Sequence, residues 1–160
     1  MRIKRMLPAA IVVLATAALP IAASAQQSGS DPTARAKFKG EIETSANGTQ
    51  GTLRVRYRCS AGDTLWISAK QTANGKKDKA LELDGSSQAA ASWLQSHRNP
   101  ITCDGKSHTS EFAIDELEQG KGALVEGKAW VQFCITANEQ DLTLSKSGWV
   151  RVEDEANEDD

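Results

Sequence analysis

The chain is poor in the side chains that do most enzymatic work. Of its 160 residues only two are histidine and three are cysteine, so imidazole bases and thiolate ligands are scarce. It contains no Gly-x-Ser-x-Gly elbow, no His-Glu-x-x-His helix, no Cys-x-x-Cys pair and no glycine loop built to cradle phosphate. Both methionines, Met1 and Met6, stand at the very start, which leaves the rest of the chain without the axial ligand of the commonest blue-copper site. A membrane-spanning helix needs roughly twenty apolar residues. The longest apolar run here, Ala9 to Leu19, is far shorter and is closed off by Pro8 and Pro20. Aromatic residues are also sparse, at 5% of the chain, but four of them are tryptophan.

Residues 1–25 read as an export signal. Arg2, Lys4 and Arg5 form a basic start, the apolar run follows, and Ala23-Ser24-Ala25 supplies a small-residue cleavage site. The expected location is therefore secreted or extracellular, with association with the cell envelope as a variant of it. Gln26 to Thr33, rich in Gln, Ser and Gly, reads with its neighbours as a flexible N-terminal arm over residues 26–35. Residues 36–152 are long enough for one domain with a real core and too short for two. Residues 153–160 hold six acidic side chains and read as a disordered, solubilising tail. The formal net charge of the chain is −2. That balance gives no basic excess, and neither a nucleic-acid partner nor a membrane span is expected.

The strongest positive signal is Leu53-Arg54-Val55-Arg56-Tyr57-Arg58-Cys59. Strict alternation of apolar and charged residues belongs to a half-buried β-strand, because successive side chains leave a pleated backbone on opposite faces. Its three arginines then share one side, most simply a solvated outer face. Upstream, Phe38 and Ile42 share one face, and Asn47-Gly48 marks a hairpin turn between the two segments. Asn47-Gly48-Thr49 also fits the N-glycosylation sequon. Further strands are expected over Thr64–Thr72, around Leu81 and Leu83 after an Asn74-Gly75 turn, and over Lys106–Asp115, Gly127–Ala137 and Leu142–Val152. Ser86 to His97 has the composition of a short helix, yet Asn99-Pro100 ends it soon and its neighbours are strands, so a loop with a short strand around Trp93 is expected. The pattern describes an all-β fold, an antiparallel immunoglobulin-like sandwich of about seven strands with one disulfide. A small closed barrel is the alternative.

In an exported chain two of the three cysteines should pair. Sequence cannot fix which two. Cys59 with Cys103 is the preferred pair, since both lie where a strand meets a turn, and Cys134 is then a free, small buried hydrophobe. Asp104, His108 and Glu111 lie close in sequence, yet their spacing fits no standard metal-ligand pattern. Asp115 with Glu116 or Glu118 lacks any sign of the cleft that a glycosidase pair must flank. No catalytic residue, cofactor or metal ligand is therefore assigned, and the protein is not expected to be an enzyme. The better hint is tryptophan: Trp66, Trp130 and Trp149 fall out of phase with the aliphatic faces of their strands. Outward indoles suit a recognition surface for a glycan or protein partner. A slip of one residue in phase, or a strand buried on both faces, turns them inward.

The succession Val55-Arg56-Tyr57-Arg58-Cys59, then Thr102-Cys103-Asp104-Gly105-Lys106-Ser107-His108-Thr109, then Gly127-Lys128-Ala129-Trp130-Val131-Gln132-Phe133 resembles small secreted actinobacterial proteins of uncharacterised function. The resemblance covers Gly51 to Val152. It implies an immunoglobulin-like sandwich, a Cys59–Cys103 disulfide and no established activity. Many such proteins carry a second cysteine pair after the late strand, where this chain has only Cys134. The expected function is a non-catalytic binding or envelope-associated module contacting its ligand through Trp66, Trp130 and Trp149. The alternatives are a purely structural or protective envelope protein, or a small hydrolase or metal-binding protein using His108 and Asp104.

Overall fold

The computed structural model describes residues 32–83, 88–97, 99–137 and 141–154. The export signal expected over residues 1–25 lies outside them, as does most of the expected N-terminal arm. Eight strands form: β1 (Arg35–Thr44), β2 (Gly51–Arg58), β3 (Thr64–Gln71), β4 (Ser92–Ser96), β5 (Ser107–Ile114), β6 (Glu116–Leu117), β7 (Gly127–Ala137) and β8 (Asp141–Asp154). Two short 3-10 turns lie at Lys79–Glu82 and Glu118–Gly120.

All eight strands belong to one sheet with the order β5-β2-β1-β8-β7-β3-β4-β6. The expectation of about seven antiparallel strands in two sheets is corrected on two points. The sheet is continuous and curled into a half-barrel, and it is mixed, because β1 runs parallel to β8 from Ile42 opposite Val152 to Thr44 opposite Asp154. β1 also carries an irregularity. It pairs antiparallel with β2 from Arg35 to Lys39 and again from Ile42 to Thr44, with the register broken between Lys39 and Ile42, where Gly40 has φ +74°. A φ in that region costs glycine little and other residues much. Beyond the break β1 lies between β2 on one edge and β8 on the other, and so joins the two halves of the sheet.

The curl buries one face. Leu53, Val55 and Tyr57 of β2, Leu65, Ile67 and Ala69 of β3, and Ala129, Val131, Phe133 and Ile135 of β7 all lie in the core. These are the positions that strict alternation selects. Across the interior Phe112 of β5 meets Phe133 of β7 edge-on with ring centroids 5.3 Å apart, and Tyr57 lies 5.7 Å from Phe112 and 6.1 Å from Phe133. Each such ring stabilises the fold by about 1.5–3 kcal/mol through burial alone.

Three local expectations change. The return strand expected around Leu81 and Leu83 is the turn Lys79–Glu82, capped by the Asp78 side chain accepting from the Ala80 N–H; Leu81 is buried and Leu83 exposed, a half-and-half pattern that alternation alone misreads. β8 continues through Glu153 and Asp154, paired with Glu43 and Thr44, so ordered strand enters the segment expected to be a disordered tail; residues 155–160 lie outside the described ones. Arg35, expected in the flexible arm, already pairs with Arg58.

Cys59 and Cys103 form the disulfide, with Cα atoms 4.7 Å apart, and Cys134 is free. The bond ties the end of β2 to the loop before β5, and Tyr57 Oη accepts from the Thr102 N–H at 3.1 Å beside it. Closing a sequence separation of 44 residues removes chain entropy from the unfolded state, worth about 4 kcal/mol. The double variant Cys59→Ala/Cys103→Ala is accordingly expected to unfold at lower denaturant by about that free energy, measured by urea titration. Wild-type protein should show one titratable thiol under denaturing, non-reducing conditions.

Candidate functional site

The outward face of β8, β7, β3 and β4 is where the tryptophans meet. With Val150 and Val152 buried on β8, and Ala129 to Ile135 buried at alternate positions on β7, Trp149 and Trp130 must emerge on the other side. Register sets them opposite each other, and continues Trp130 to Lys70 on β3 and Lys70 to Trp93 on β4. The result is a four-strand row, Trp149, Trp130, Lys70, Trp93. The first two indoles pack edge to face with centroids 5.5 Å apart, the arrangement their quadrupoles favour. The Lys70 ammonium lies 4.5 Å from the centre of the Trp93 ring, within cation–π range.

The row is held from both ends. The turn Lys79–Glu82 brings Glu82 Oε1 to 2.8 Å from Trp149 Nε1, which donates to it, and Lys77 Nζ lies 5.8 Å from the same ring. At the other end Ser92 and Leu94 are buried on either side of Trp93 and fix the phase of β4. Trp93 Nε1 is buried without a hydrogen-bond partner. One pleat along the strands, the outward positions are Ser147, Gln132, Ser68 and Gln95. Ser68 is fully buried there, with its hydroxyl unpartnered, and Gln95 Oε1 accepts from Trp66 Nε1 at 2.9 Å.

Of the three tryptophans expected to share a surface, Trp130 and Trp149 touch. Trp66 is on the same face but four residues along β3 from Lys70, about 13 Å at strand spacing, opposite Cys134 and beside His97, whose ring lies 6.5 Å away. Trp93 belongs to the row and was not expected there. Its signal was the alternation of Ser92, Leu94 and Ser96 around it, but its place in the row is set by long-range pairing. Cys134 rests against Ser145, with Sγ and Oγ 3.7 Å apart, and burial pushes its thiol above the ordinary range, which makes it a poor nucleophile.

At the disulfide end of the molecule, His108 Nε2 lies 2.7 Å from Asp104 Oδ1, and Tyr57 stacks against the imidazole at 5.7 Å. The Asp104 carboxylate also accepts from the Lys106 N–H at 2.9 Å. The His108 hydrogen bond, then the backbone one, hold its carboxyl below the usual aspartate range. Glu111 does not join them. It lies on the opposite face of β5 and pairs with Arg54, because the odd and even positions of a strand point apart. Among the described residues no group of three His, Cys, Asp or Glu is placed to hold a metal ion.

No protein-family model matches the chain, and no curated protein does. Among solved structures it is similar to the C-terminal domain of wzt, at 17% identity over 78% of this chain and 81% of that one, with a TM-score of 0.32. So distant a likeness supports no transfer of function. Of the resemblance drawn from the sequence, the β-rich fold and the Cys59–Cys103 bond are present.

A carboxylate held below its unfolded pKa stabilises the fold at pH values above the unfolded pKa, and loses that contribution as the pH falls through the folded one. Asp104→Asn is therefore expected to lower the Tm at neutral pH. The gap from wild type should close as the pH drops below the ordinary value of 3.8, followed by thermal melts across pH 2 to 7.

Proposed function

We propose that the protein is a secreted, non-catalytic β-domain that binds a glycan through the outward face of β8, β7, β3 and β4. The observation that carries this reading is the cross-strand row Trp149, Trp130, Lys70, Trp93. Indoles on the solvent side of a sheet offer flat apolar surface to the CH face of a sugar ring, and the half-buried Gln132 one pleat away supplies a polar group for its hydroxyls. The basic start, apolar run and Ala23-Ser24-Ala25 site of residues 1–25, together with the disulfide, support export.

One observation favours a structural role for the same row. Trp149 is fastened to Glu82 and stacked on Trp130, as in a small outer core. Titration of intrinsic fluorescence with neutral oligosaccharides, followed by Trp130→Ala and Trp93→Ala, separates the two. A glycan-binding face loses affinity about tenfold on removal of one central indole. A purely structural row shows a lowered Tm in both variants and no saccharide that wild type binds.

A further inference from the structure

The other half of the outer surface carries a different chemistry. Along β1 the outward residues are Arg35, Lys37 and Lys39; along β2 they are Arg58, Arg56 and Arg54. The register sets them directly opposite, Arg35 to Arg58, Lys37 to Arg56 and Lys39 to Arg54. β5 adds a third column, Ser107, Thr109 and Glu111, beside the three arginines. Three successive like-charge pairs across one ladder oppose folding, and a surface under no other demand would alternate its signs. Only the third row is relieved: Arg54 donates to Glu111, while Glu41 and Glu43 lie around the same end. Among the described residues Arg35, Lys37, Arg56 and Arg58 have no ion-pair partner.

Three of those four cations line a recess. Arg35, Lys37, Arg56 and Ser107 line a cleft of about 300 Å³ together with Ala36 and Tyr57. Beside it Arg58 Nε is buried with no acceptor, an orphaned donor that an oxyanion would satisfy. Rows repeat about 6.6–6.8 Å along the strands and columns about 4.8 Å across them, so the cations present a regular array rather than a single point of charge.

We infer that this face binds a linear anionic polysaccharide carrying phosphate or sulfate esters, with Arg35, Lys37, Arg56 and Arg58 as the contacts and Ser107 and Thr109 as flanking hydroxyl donors. A nucleic acid fits less well. The outward positions of β1, β2 and β5 hold no aromatic ring on which a base can stack. The site is separate from the tryptophan row and does not depend on it.

The test is direct binding of full-length protein to a heparin oligosaccharide, a phosphomannan fragment and a single-stranded oligonucleotide, measured calorimetrically at low and moderate salt. Wild type is expected to bind at least one of the two glycans in a salt-dependent manner and to gain Tm on doing so. Whichever glycan binds identifies the ester. Arg56→Gln and, independently, Arg35→Gln should each raise the Kd about tenfold or more without lowering the Tm, whereas Lys146→Gln, the same charge change on β8, should leave it unaltered. Failure of both glycans to bind at low salt, equal or tighter binding of the oligonucleotide, or equal effects of Arg56→Gln and Lys146→Gln overturns the inference.

Discussion

The structure depends on one strand that serves two partners. β1 is the antiparallel neighbour of β2 from Arg35 to Thr44, with a register break between Lys39 and Ile42, and from Ile42 to Thr44 its other edge is the parallel neighbour of β8. At Gly40 and Glu41 that strand carries a break in its register against β2. The sheet curls, its inner face closes on a core of aliphatic and aromatic side chains, and the ring cluster of Tyr57, Phe112 and Phe133 ties one half to the other. The disulfide then secures the end of β2 at which Tyr57 sits.

Curling also divides the outside. The strands on one side of the β1–β8 junction turn tryptophan, lysine and glutamine to solvent. Those on the other side turn arginine, lysine and hydroxyls outward. The two surfaces obey the same rule of alternation but differ in what stabilises them. The tryptophan row is satisfied largely from within, through the Trp149 hydrogen bond to Glu82 and the Lys70 ammonium over Trp93. The basic columns are satisfied at one end by Glu111 and strained at the other. A protein that keeps such repulsion in a regular ladder has a surface shaped by something other than folding.

Most of this fold was legible where two-residue periodicity was clean. Leu53 to Cys59 and Gly127 to Ala137 reveal their inner and outer faces without ambiguity, and the pair of cysteines at strand ends points to the bond that forms. Long-range pairing was not legible: nothing local announces that β1 pairs with β8, because a parallel neighbour more than a hundred residues away leaves no turn signal. Leu81 and Leu83 mislead because a 3-10 turn can bury one leucine and expose the next but one. The strand around Trp93 was expected, but its place in the row was not, because its neighbours are set by long-range pairing. The charge array shows most clearly the limit of one-dimensional reading. Arg54, Arg56 and Arg58 look like an ordinary wet face until register places Lys39, Lys37 and Arg35 opposite them.

Gly75 and Gly127 touch through their backbones. Gly75 accepts from the Lys128 N–H at 2.7 Å, and a Cβ on Gly127 would stand 2.4 Å from the Gly75 carbonyl oxygen, while one on Gly75 would stand 2.4 Å from that of Glu126. Neither position can therefore accept a side chain, and altering one cannot compensate for altering the other. In a family whose strands can drift freely among valine, isoleucine and leucine, two distant glycines locked together in this way would be the slowest part of the sequence to change, and a better marker of shared ancestry than any strand.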